Sequence, residues 1–198
     1  MLVLITLEKN NDTEQEQLTQ FFGSGLSLLH VRKPGISEEE LRSWLSGFED
    51  SCLRKMVLHQ HHRLAASFSV KGIHLTEHLR SKKKELVQYI ERYKIGGFTV
   101  SSSFHNPEKM KNEGSLFDYN FLSPVFNSIS KDGYEGQGFD VKNLPFKTIA
   151  LGGIKVEEIC NAKELGYDGV AILGAVWQTE NKQEAFTDIF NEYNNVFQ

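Results

Sequence analysis

The chain has 198 residues, 39% hydrophobic and 24% charged, with a formal net charge of -4. That length suits one domain over residues 1–198 with a substantial core, and the balance excludes a disordered chain and a membrane protein. The 22 basic residues are scattered rather than gathered into a field that would hold nucleic acid, and Cys52 and Cys160 lack the spacing of a zinc site or a disulfide framework, so a reducing, cytoplasmic setting is expected.

Residues 2–7 are apolar, too short to cross a membrane and not preceded by a basic segment, and they read as the first strand. The second, 26–32, closes on His30-Val31-Arg32. A period of two puts His30 and Arg32 on one face, where the planar guanidinium fork suits a phosphate or diphosphate. The plainer alternative is a rim arginine paired with an acidic neighbour. Ser37 and Glu40 have the spacing of a capping box, predicting a helix over 37–48. The third strand, 55–59, runs into His59-Gln60-His61-His62. Imidazoles are common metal ligands, but adjacent residues at a strand end cannot all face one ion.

The fourth strand, 72–75, leads into Thr76-Glu77-His78, adding one carboxylate near the strand end, and His74 reads equally well as a packed core residue. The fifth, 97–101, is followed by Ser101-Ser102-Ser103-Phe104-His105-Asn106, with Asn106 capping a helix that starts at Pro107. Hydroxyls and free N–H groups before a helix suit an anion. The sixth, 119–123, opens a long connection over 123–143 that carries Ser128, Ser130 and Lys131 among glycines. The seventh, 148–151, ends in Gly152-Gly153, a helix over 155–165 stops at Gly166, and the eighth, 169–173, ends at Gly174. Glycines after the last two strands let backbone N–H groups approach phosphate oxygens.

Eight strands alternating with helical stretches predict a compact (β/α)8 TIM barrel. An open doubly wound sheet would carry a glycine fingerprint after its first strand, and none follows Leu7. In a barrel the reacting groups gather at the C-terminal ends of the strands.

In order and spacing, His30-Val31-Arg32, Gly72-Ile73-His74-Leu75, Ser103-Phe104-His105, Ser123-Pro124-Val125-Phe126 with Lys131, Ala150-Leu151-Gly152-Gly153-Ile154 and Asp168-Gly169-Val170-Ala171 carry a likeness running from His30 to Gly174. On these segments the chain resembles the thiamine phosphate synthase and TenI-like family. The resemblance implies a transferase of thiamine biosynthesis that joins an aminopyrimidine methyl diphosphate to a thiazole phosphate and releases diphosphate with magnesium. It implies catalytic roles for Arg32, Lys131 and Ser103, and substrate contacts from His30, His59, Ser128, Ser130, Gly152, Gly153 and Gly174, the last two glycines at the thiazole phosphate. The implied partners are phosphorylated heterocycles, neither nucleic acid nor membrane, and homo-oligomerisation stays open.

The departures from the family pattern are specific. Its Asn-Asp pair after the third strand is His59-Gln60 here, its second magnesium aspartate aligns with Leu79, and a usual lysine aligns with Pro34, beside Lys33. Glu77 is the carboxylate left for Mg2+. The sister branch isomerises the thiazole phosphate by proton transfer without the full metal site, but its usual histidine after the sixth strand is Ser123, so His30 or His105 would have to serve. A non-catalytic phosphate-binding barrel is the third expectation.

Overall fold

The computed structural model describes residues 1–127 and 135–198. Eight parallel strands, β1 (Leu2–Ile5), β2 (Leu29–Val31), β3 (Met56–Leu58), β4 (Gly72–Leu75), β5 (Thr99–Phe104), β6 (Tyr119–Leu122), β7 (Thr148–Leu151) and β8 (Gly169–Ile172), pair in sequence order. The ring closes where Leu2 and Leu4 of β1 meet Val170 and Ile172 of β8. The expected TIM barrel is present, with helices between the strands.

The pleat sorts each strand into two cores. Leu2 and Leu4, Leu29 and Val31, Met56 and Leu58 face outward and join the helix-facing core with Phe21, Leu41 and Phe186. Val3, Ile5, Leu28, Val57, Tyr119, Phe121, Ile149 and Ala171 form a separate interior cluster inside the barrel. The register extends that interior series: His30 is level with Ile5 and Val57, and His74 with Ser101.

The helix ends follow the expected chemistry. The Glu40 N–H donates to Ser37 Oγ at 3.2 Å while the Ser37 N–H donates to the Glu40 carboxylate at 2.8 Å, so the capping box opens helix Glu38–Leu45. Asn106 Oδ1 accepts from the Glu108 and Lys109 N–H groups ahead of helix Pro107–Glu113.

The fifth strand corrects the sequence reading. Its expected start at 97 is occupied by the turn that follows helix Leu86–Ile95, where Gly97 takes φ +82° and donates to Lys94 O. The strand instead runs through all three serines, with Ser101 and Ser102 fully buried. Serine is a weak strand former, but these hydroxyls have partners: Ser101 Oγ lies 2.9 Å from His74 Nδ1, and Ser102 Oγ donates to Leu75 O at 2.7 Å.

Candidate functional site

A cavity of about 930 Å³ occupies the C-terminal mouth. Arg32, Ser103, His59, Glu77, Gly152, Gly153 and Gly174 all border it, so seven expected site residues from six chain segments meet around one space. Ser128, Ser130 and Lys131 lie outside the described residues. His30 is the correction. It is fully buried inside the barrel and absent from the cavity wall, because it sits one pleat below Arg32 with both ring nitrogens engaged.

Arg32 borders the cavity and also forms an ion pair with Glu8 at the rim. Ser103 is held by its neighbours: its carbonyl accepts from Arg80 at 2.6 Å, and the buried Arg80 also donates to Ser102 Oγ and pairs with Glu113 at 2.8 Å. Lys33 does not replace the lysine displaced by Pro34. Its Nζ is 1% exposed, 2.6 Å from the equally enclosed Glu14 carboxylate, and it donates to Leu7 O at 3.2 Å. Burial pushes the Glu14 carboxyl up against the pull of Lys33.

The run His59–His62 separates as its spacing requires. His61 bonds Ile36 O at 2.7 Å, and His62 bonds Tyr89 and His74 O, so both leave the cavity. His59 instead joins imidazoles from two other strands. His30 Nδ1 is 2.9 Å from His59 Nε2, His30 Nε2 is 2.6 Å from the Tyr119 hydroxyl, and the His59 and His74 rings stack at 4.2 Å. Burial pushes His30 down to about 3 and holds His59 and His74 well below the usual imidazole range, with neighbouring imidazoles adding to the effect, so all three are neutral at pH 7. Sequence reasoning weighed the neighbours of His59 along the chain and missed this grouping across strands. The signal was parity: His30, His59 and His74 each occupy the inward series of consecutive strands.

His105 follows β5 and stands against the end of β6. Its Nδ1 lies 3.0 Å from Ser123 O and 3.1 Å from Ser123 Oγ. Donation from Nδ1–H to the carbonyl leaves Nε2 as the unprotonated nitrogen of a neutral ring. His105 and Ser123 both border the cavity.

Beside this pair, after β7, the wall is backbone. Gly152 and Gly153 adopt φ of +94° and +72°, and a Cβ on Gly153 would come within 2.5 Å of Asn127 O. Only glycine fits that close approach. Among the described residues, none accepts a hydrogen bond from the Gly153 or Gly174 N–H. These are donors of the kind a phosphate can use.

Magnesium prefers a near-octahedral set of hard oxygens, and the described residues do not assemble one. Gln60 Oε1 accepts from the Lys33 N–H at 3.1 Å, Leu79 is aliphatic, and Glu8 is paired with Arg32. Burial raises the Glu77 carboxyl, but the Lys109 ammonium 3.1 Å away, as hydrogen-bond donor and as charge, holds it below the usual range overall. The donors that converge beneath the cavity are imidazoles, so these residues do not fit magnesium.

A sequence model of the family described as thiamine monophosphate synthase matches residues 2–184. The fold is similar to thiamine phosphate pyrophosphorylase from Bacteroides thetaiotaomicron, with a TM-score of 0.75, 24% identity, and coverage of 98% of this chain and 97% of that one. It is also similar to thiamine phosphate pyrophosphorylase from Pyrococcus furiosus, with a TM-score of 0.81, 18% identity, and coverage of 100% and 96%. A 3-hexulose-6-phosphate synthase shares the architecture at a TM-score of 0.74 and 11% identity, over 97% of this chain and 99% of that one.

Proposed function

The chain belongs to the thiamine monophosphate synthase family, and from that premise we propose that it binds a thiazole phosphate at the barrel mouth and isomerises the ring by proton transfer. The observation that carries this reading is the His105–Ser123 pair. The tautomerase branch, by resemblance, uses a histidine after the sixth strand, and here an imidazole from β5 lies 3.1 Å from the hydroxyl at that position.

The chemistry needs a phosphate anchor and one group that takes and returns a proton. The N–H groups of Gly153 and Gly174, which have no acceptor among the described residues, supply the anchor. His105, with Nδ1 committed to Ser123, offers Nε2 as base and, once protonated, as acid. His30 is unsuited, since both its nitrogens are engaged and burial disfavours its charged form. No metal enters these steps.

A second reading, synthase-type coupling of the two heterocycles, is favoured by Arg32 and Ser103 on the cavity wall. Arg32 would have to exchange Glu8 for diphosphate, and magnesium would have to arrive with that diphosphate. The test is to measure thiazole phosphate isomerisation and thiamine phosphate formation in parallel, with magnesium and with a chelator. Isomerisation in both conditions supports the first reading. Coupling alone, dependent on magnesium, would transfer the assignment to the second. Binding without either reaction would make the chain a phosphate-binding barrel.

A further inference from the structure

The interior of a (β/α)8 barrel is ordinarily filled by branched aliphatic side chains. Here His30, His59 and His74 occupy inward positions of three consecutive strands, fully or almost fully buried, with ring centroids 4.2 to 5.3 Å apart. One potential ligand nitrogen from each lies within 4.8 Å of the others. Polar rings placed this deep are costly unless every nitrogen is satisfied, and they are not. His59 Nδ1 is buried without a partner among the described residues, and His74 Nε2 makes no hydrogen bond with them.

We propose that these three imidazoles form a binding site for a divalent transition ion of the zinc class, with its remaining coordination position open to the cavity bordered by His59 and His74. The assignment of nitrogens follows from the partners. His30 Nε2 is held by Tyr119 and His74 Nδ1 by Ser101, leaving His30 Nδ1 and His74 Nε2 to face the ion. His59 offers either nitrogen: Nδ1, buried without a partner among the described residues, or Nε2, 2.9 Å from His30 Nδ1. Tyr119 and Ser101 thus act as outer partners that fix ring orientation, as ligating histidines require. Zinc–nitrogen bonds of about 2.0–2.1 Å put tetrahedral ligand atoms roughly 3.3 Å apart, so the set needs only modest closure.

Two further features agree. The proton shared between His30 and His59 has to move to the far nitrogen of its ring when an ion binds, so loading changes a tautomer without net proton release. Burial keeps all three rings in the neutral, ligating form. The proposal stands apart from the isomerase reading, which routes no step through an ion, so either can fail alone.

The experiment uses the full chain stripped with a chelator and titrated with Zn2+, Co2+ or Mg2+ while thermal stability and bound metal are measured. The expected result is one equivalent of zinc per chain, a rise in Tm, cobalt bands of an imidazole-rich tetrahedral site, and no response to magnesium. His59→Leu and His74→Leu should each lose at least about 100-fold in zinc affinity, on the scale that even outer-partner changes reach at metal sites, while His61→Asn binds as the wild type does. Should the leucine variants fail to fold, X-ray absorption of the wild-type zinc protein decides the matter by counting imidazole ligands, with three expected. Sub-stoichiometric binding, affinity unchanged in a folded His74→Leu, or a first shell without imidazoles would overturn the site and leave a hydrogen-bonded histidine core.

Discussion

Histidines near one end of this barrel divide by what surrounds them: His105 is exposed against Ser123, whereas His30, His59, His62 and His74 are enclosed. For the enclosed set, burial lowers the folded pKa, to about 3 for His30 and about 4 for His62. The sign follows from which state takes up protons. Below the ordinary value of 6.5 the unfolded chain binds protons that the folded one refuses, so their contribution to stability is intact above that pH and is lost as pH falls toward 4 and then 3. Urea midpoints of metal-free protein from about pH 7 downward should fall steeply, and His74→Leu should reduce the slope by up to about 1.4 kcal/mol per pH unit, one proton's worth. An unchanged slope would mean that His74 is not held neutral. The glycines separate binding from folding. Gly174→Asp meets only the movable end of Gln178 at 3.1 Å, so it should stay folded and lose the Tm increase given by thiazole phosphate. Gly153→Ala, at φ +72° and facing backbone at 2.5 Å, should cost on the order of 1–3 kcal/mol of stability before binding is considered. A Gly174→Asp variant that still shows the full increase would remove Gly174 from the phosphate site.

Between residue and barrel, the ends of the elements decide where side chains arrive. Lys33, just past β2, is drawn under the helix Glu14–Gly23 by Glu14 and packs over Trp44 at 5.2 Å. Lys33→Met alone would strand a buried carboxylate and should destabilise by about 3–5 kcal/mol, whereas Lys33→Met with Glu14→Leu should recover most of it, as measured by denaturant unfolding. If the double variant is as unstable as the single, the ion pair is not what holds this end of β2. Sequence alone read Lys33 as a neighbour of the arginine motif, because charge gives no sign of burial until its partner 19 residues away is placed beside it. The strand limits show the same boundary of inference. β4 and β7 match their expected spans, since a turn or glycine brackets each apolar run, while β5 is displaced toward its serines because tertiary partners override their weak strand preference. Arg32, Ser103, Gly153 and Gly174 were readable because they terminate strands. The His30–His59–His74 group was not, since it exists only once register aligns three separate runs.

At the scale of the whole molecule, the count of eight alternating units was enough to foresee a closed ring, since parallel strands with exposed edges need partners and β1 finds β8. Closure is what gathers the proposed phosphate donors after β7 and β8 and the His105–Ser123 pair after β5 and β6 around one cavity. The central claim is therefore a division of labour around that mouth: the glycines after β7 and β8 would hold the phosphate and the imidazole after β5 would move the proton. The most direct test is solvent deuterium exchange into a thiazole phosphate, followed by NMR in the presence of a chelator, for the wild type and His105→Ala. The account predicts isomerisation with deuterium incorporated by the wild type, a loss of about 10²–10⁴-fold in kcat for His105→Ala, and little change in affinity for the phosphate. Exchange at the wild-type rate in His105→Ala, or none by the wild type when the ligand is bound, would contradict it.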